Sequence, residues 1–206
     1  MKAFKVLFVL GSMLFMLTAC EEPEDLNTQD KLTELNLQAK TSNHVGVPFK
    51  ARLFTEQAED ALTEICSFTS PNDFWAMEHQ IGGGNATHLG NFNVDFKFCF
   101  HIALDDQGFP DLESGFGQYN GSEGSTAPLI VAANGDQLFA EVREESELIP
   151  IQNEKYNFEF DDIWYITGGT GRFENASGEF VGYGLVRSDG TGTDHVWDGT
   201  IILNKN

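Results

Sequence analysis

The chain has little positive charge. Twelve Lys and Arg stand against thirty-two Asp and Glu in 206 residues, a formal net charge of −20. Such a surface repels phosphates, which disfavours nucleic-acid binding, and it also keeps the chain off anionic headgroups. The usual signatures of catalysis and cofactor binding are missing too. His44, His79, His88, His101 and His195 form no His-x-x-x-His pair, and there is no Cys-x-x-Cys, so no zinc spacing is present along the chain; unless they converge in space, the histidines read singly, as surface or barrel-mouth residues. No Gly-x-Ser-x-Gly elbow supports a hydrolase. The run Gly168-Gly169-Thr170-Gly171 has no Lys-Ser or Lys-Thr at Walker spacing, and Glu174 stands where a dinucleotide fingerprint needs its third glycine. No helical pattern comes after it to offer an anion site, so the run reads as a turn. Asp105, Asp106, Asp111 and Glu113 do not match EF-hand spacing and are interrupted by Phe109-Pro110, so they read as a solvated loop. No metal or cofactor is expected from these patterns.

The one long apolar run, Val6 to Met16, is too short to span a bilayer comfortably. Lys2 and Lys5 precede it, and Leu17-Thr18-Ala19-Cys20 comes directly after. The ensemble resembles a bacterial lipoprotein signal. That resemblance implies removal of residues 1–19 and lipidation of Cys20, with several acyl chains making a stable anchor. Loss of Lys2 and Lys5 would take the charge from −20 to −22. Residues 20–44 read as the lipidated cysteine and a flexible acidic tether, which opens with Glu21-Glu22-Pro23-Glu24-Asp25. Acidic residues in that place resemble the export signal of surface lipoproteins in Bacteroidota-type bacteria. The implied location is the outer membrane, at its outer face, with the lipid as the membrane link.

Residues 45–206 then suit one domain. Val47, Phe49, Ala51 and Leu53 alternate with Pro48, Lys50, Arg52 and Phe54, the period of a strand with one buried face. Cys66 to Thr69 suggests a short extended piece before the turn Ser70-Pro71-Asn72-Asp73, whereas Phe74 to His79 fits either one helical turn or a plug over a barrel end. From Ala86 to Ile102 a long strand is expected, with Val94, Phe96, Phe98, Phe100 and Ile102 on one face, Asn93, Asp95, Lys97, Cys99 and His101 on the other, and a bulge or bend at Gly90. Asn134-Gly135 between apolar runs predicts a hairpin with a type I′ turn, and Glu144 to Pro150 a loop. Tyr156, Phe158, Phe160, Trp164 and Ile166 share one parity, and Val181 to Val186 and His195 to Leu203 give further strands. Phe173 can plug the core beneath the glycine reversal.

Two features carry candidate chemistry. Once Cys20 is lipidated, Cys66 and Cys99 are the remaining thiols, and an oxidising exterior permits a disulfide between them, with two separate thiols as the alternative. Asp162 falls in the apolar series of its strand. Facing inward it would be a buried carboxyl with a raised pKa, able to act as acid, base or ligand holder. If Asp161-Asp162 instead marks a bulge, Asp162 points to solvent, and this is the simpler reading.

Thr87-His88-Leu89-Gly90, Ala132 to Phe139 and Ile166 to Phe173, in that order, resemble bacterial relatives of the allene oxide cyclase and dirigent barrels. The resemblance covers roughly Val45 to Leu203 and implies an all-β fold, a small antiparallel barrel of about eight strands, as the frequent turns and absent helices also suggest. It implies a pocket but transfers no catalytic residue. The expected role is binding of a small apolar ligand, or an envelope interaction module, with an isomerase or cyclase acting in the cavity as the competing class. Nothing in the residues speaks to oligomeric state.

Overall fold

Twelve strands and one short 3-10 turn account for the computed structural model, which describes residues 45–120, 129–151 and 153–203. Eight of the strands close into a barrel: β1 (Val45–Gln57), β3 (Asp73–Ala86), β4 (Gly90–Ala103), β6 (Leu129–Ala132), β7 (Gln137–Val142), β10 (Tyr156–Gly169), β11 (Ser177–Arg187) and β12 (Thr193–Leu203). Each pairs antiparallel with the next in this order, and β12 returns to β1, from Val45 opposite Leu203 to Thr55 opposite Thr193. A meander that closes on itself leaves no free edge in the barrel. Four short strands lie outside it. These are β2 (Ile65–Ser70) on β3, β5 (Gln118–Asn120) on β4, β8 (Glu145–Glu147) on β5, and β9 (Ile149–Pro150) on β10. Residues 1–44, with the expected signal, Cys20 and the expected tether, fall outside the described residues.

The alternation read from the sequence sets which side chains enter the barrel. Phe49, Phe180, Trp197 and Ile201 are at most 1% exposed, and the three rings interlock, with Phe49–Phe180 centroids 5.1 Å apart and Phe180–Trp197 4.9 Å apart. Burying a side chain of this size is worth about 1.5–3 kcal/mol, and a tilted aromatic pair adds about 1 kcal/mol. This cluster fills one half of the barrel.

All the motif turns gather at the end of that half. The β10–β11 connection carries Gly168 and Gly171 at positive φ, then tucks Phe173, fully buried, under the 3-10 turn Gly171–Phe173. It docks on the β6–β7 turn, where Thr170 N donates to Gln137 O at 2.8 Å and Gln137 N donates to Thr170 Oγ1 at 2.9 Å. Thr87 joins β1 to the β3–β4 turn by accepting from Lys50 N at 2.9 Å and donating to Pro48 O at 3.0 Å.

Several local expectations are corrected. Phe74 to His79 is neither a helical turn nor a plug. It is the first half of β3, held between β2 and β4. Thr87 to Gly90 is a hairpin turn and not a bend within a strand, with His88 and Gly90 at positive φ. At the β6–β7 turn only Gly135 has positive φ, so the turn is not type I′; Asn134 spends its side chain on Asp136, donating from Nδ2 to Oδ2 at 2.9 Å. Within Glu144 to Pro150, expected as loop, the short strands β8 and β9 form.

Candidate functional site

The other half of the barrel is hollow. A cavity of about 490 Å³ lies beyond Trp197, toward the end where β1 finishes and β12 begins. Its floor is Phe96, Trp164 and Trp197, with centroids 5.4 to 6.2 Å apart. Phe98, Phe100, Ile102 and Phe160 wall it, from the apolar parities of β4 and β10. Two glycines on β11 make room for these rings. A Cβ on Gly184 would lie 2.1 Å from the tip of Phe160, and one on Gly182 2.9 Å from Trp164 Nε1.

Asp162 lines this cavity and is 7% exposed. The bulge that would have turned it to solvent is not there, because β10 stays in register with β11 from Phe158 to Ile166, with Asp162 opposite Gly182. What departs from regularity is the other side of β10. It pairs with β9 at Phe158 and Glu159 and with β7 only from Trp164 onward. The outer strands β5 and β8 lie over this interval. Ser146 of β8 donates to Asp161 O at 2.8 Å, and the Tyr119 phenol of β5 donates to Asp162 Oδ1 in a short bond. Burial pushes the Asp162 carboxyl up to about 6, against the opposing pull of the Tyr119 and Ser146 hydroxyls. The same burial, and then the adjacent carboxylate, push the Tyr119 phenol well above its ordinary range. The indole N–H of Trp164 lies near enough to Asp162 to favour its anion, yet makes no hydrogen bond of ordinary geometry.

A second polar group lies across the cavity. Thr55 Oγ1 donates to Gln80 Oε1 at 2.6 Å and stands 2.9 Å from His195 Nε2. A hydroxyl has one proton, so His195 Nε2 carries the hydrogen of this contact and Nδ1 keeps its lone pair. Gln80 and Gln57 in turn donate to the two oxygens of Glu78, at 3.2 and 3.0 Å. Burial lowers His195 to about 4, opposed by Asp194, and raises Glu78, opposed by the two glutamine amides. At neutral pH the imidazole is therefore uncharged.

Cys66 and Cys99 are joined in a disulfide, which fastens β2 to the outside of β4 opposite the cavity-lining Phe98 and Phe100. The other described histidines serve elsewhere. His79 bridges Asp60 and Asp95, His101 meets Asp73 at 2.9 Å beneath the stacked ring of Trp75, and His88 sits in a turn. Among the described residues no three His, Cys, Asp or Glu converge as a metal set. The loop carboxylates Asp105 and Asp111 accept from nearby backbone N–H groups of their own loop.

Sequence reasoning missed Tyr119, Glu78 and the His195–Thr55 contact. Tyr119 belongs to a three-residue strand with no periodicity to show. Glu78 is legible only if Phe74 to His79 is taken as a strand, where it shares parity with the buried Ala76. The site can hold an apolar body and accept hydrogen bonds at two places on its wall, and Asp162 can exchange a proton near neutrality. No family model matches the chain, and no curated protein and no solved structure matches it.

Proposed function

We propose that this chain is a lipid-anchored envelope protein whose barrel binds a small, mainly apolar ligand without transforming it. The observation that carries the reading is the cavity: about 490 Å³, walled by aromatic and aliphatic side chains, with a few fixed polar groups. Small-molecule sites have this size and composition. The lipobox-like Leu17 to Cys20 supports the anchor, and the acidic residues after it support an outer-face location. An eight-stranded barrel with a pocket is also what kinship with the allene oxide cyclase and dirigent barrels implies, and that kinship is part of the proposal.

Native mass spectrometry of the mature chain, released from its host's membranes into a detergent of known mass, tests this. The expected result is a stoichiometric extra mass that leaves on denaturation. A bare protein mass from chain that also fails to bind N-phenyl-1-naphthylamine would sink the reading and favour an interaction module. A second reading, an isomerase acting in the cavity, is favoured by the Tyr119–Asp162 pair, whose carboxyl titrates near the operating pH of a general base. Ligand recovered from wild type and from Asp162→Asn separates the two readings. An isomerase returns two isomers of one mass, and a binding protein returns the same compound from both.

A further inference from the structure

Among the described residues, the cavity wall carries two buried carboxyl groups and no buried cation. Asp162 and Glu78 are 7% and 4% exposed, and neither forms an ion pair among the described residues. Asp162 faces the phenol of Tyr119 and the hydroxyl of Ser146, and its neighbour Asp161 adds negative charge. From β4, β7, β11 and β12, Phe96, Val142, Gly182 and Trp197 border the same space, all uncharged. Glu78 faces glutamine amides, and His195 is neutral. The single cation among the described residues that reaches the cavity, Lys97, is on the outward parity of β4 with its side chain 35% exposed, and its Nζ is held 3.5 Å from Asp60.

Two acceptors on the wall have no partner of ordinary geometry. Asp162 Oδ2 and His195 Nδ1 make no such hydrogen bond to a described residue, whereas Oδ1 and Nε2 do, and only the Ser146 hydroxyl and the Trp164 indole lie near the free side of the carboxyl. Both groups belong to side chains more than nine-tenths buried. A ligand head that meets them has to donate a hydrogen bond. A carboxylate head cannot donate, and it would bring a further negative charge into a low-dielectric space with no counter-ion. A hydroxyl donates at no electrostatic cost.

Building on the binding role proposed above, we infer that the cavity selects uncharged apolar alcohols and rejects the carboxylic acids of the same carbon skeleton. Asp162 Oδ2 takes the hydroxyl proton in a hydrogen bond, and the aromatic floor takes the hydrocarbon.

The test displaces N-phenyl-1-naphthylamine, a neutral fluorescent probe, from the full chain with decanol, decanoate or decylamine at pH 7.5, each below its aggregation limit. Decanol is expected to compete at least about tenfold better than decanoate, a gap of about 1.4 kcal/mol. Lowering the pH to 5 neutralises part of the decanoate and protonates Asp162, so the gap narrows. Asp162→Asn narrows it to within about threefold at pH 7.5, because the repelling charge is gone. Decanoate that competes as well as decanol in the wild type overturns the inference while leaving the binding role intact. Decylamine that competes better than decanol overturns the uncharged head. A probe that does not bind at all removes the binding role itself, so the two failures are distinguishable.

Discussion

The two ends of the barrel are built on different terms. At one end Phe173, Leu89 and Ala176 are buried under three interlocked turns, and the space is filled. At the other, the same closed ring of strands surrounds a cavity edged by Asp162, Glu78 and His195. The filled end shows residues chosen for backbone geometry and shape. The hollow end shows the opposite, with buried groups that carry a desolvation cost and contribute little to packing. Packing dominates the first, and buried polar groups mark the second. Polar residues in a half-empty interior are expected where function, rather than folding, set the composition.

Substitutions can break that division. The largest effect is expected at the filled end, where Phe173→Ala removes a fully buried ring and should cost about 3–5 kcal/mol in urea unfolding. The folded fraction should still bind N-phenyl-1-naphthylamine with unchanged affinity. Weakened binding would mean that the two ends are coupled. On the outside of the hollow half, paired Cys66→Ser and Cys99→Ser substitutions open a link between residues 33 apart in sequence and should cost about 3–4 kcal/mol in the same assay.

The pH dependence of stability sharpens the contrast further, because two cavity groups oppose each other. Asp162 has its folded pKa raised from 3.8 to about 6, so its contribution is full below about 4 and is lost as pH rises to 6. His195 has its folded pKa lowered from 6.5 to about 4, so its contribution is full above 6.5 and is lost as pH falls to 4. Each amounts to roughly 3 kcal/mol at about 1.4 kcal/mol per unit, so these two nearly cancel, while Glu78, also raised by burial, adds to the fall with rising pH in the wild type and in both variants. Relative to wild type, Asp162→Asn should give a stability that climbs from pH 4 to 6.5, and His195→Gln one that falls. Urea midpoints at four pH values check both slopes, and parallel curves for the two variants would contradict the assignment. The smallest effect is expected for Gly184→Ala. The new Cβ displaces the Phe160 ring into the cavity, so probe affinity should fall about tenfold while unfolding changes little.

The same division explains what can be read from the residues. The filled end is legible because turn chemistry and alternation are local: Asn134-Gly135, the glycines after Ile166 and the paired parities of β1, β4, β10 and β12 each declare themselves within a few positions. Even there, turn type escapes, since Asn134 keeps a negative φ while its side chain bonds Asp136. β3 is illegible because neither face is uniformly apolar or polar. Trp75 stacks on His101 of the neighbouring strand, while Glu78 faces inward among glutamines, and no apolar alternation survives such a mixture. Asp162 stands out in its series, but its direction does not, as its partner Tyr119 is 43 residues away on a strand too short to announce itself. The disulfide is one of two options for the same reason: pairing is a fact of three dimensions. The hollow end is assembled from contacts between distant residues, which no window along the chain contains.

The volume of the cavity depends on two missing methyl groups. Gly182 and Gly184 leave the room into which Trp164 and Phe160 lean. The change from a glycine codon to an alanine codon is a single nucleotide. The pocket can therefore be resized by natural variation at two positions, without any revision of the barrel around it, and its volume can drift while the fold remains the same.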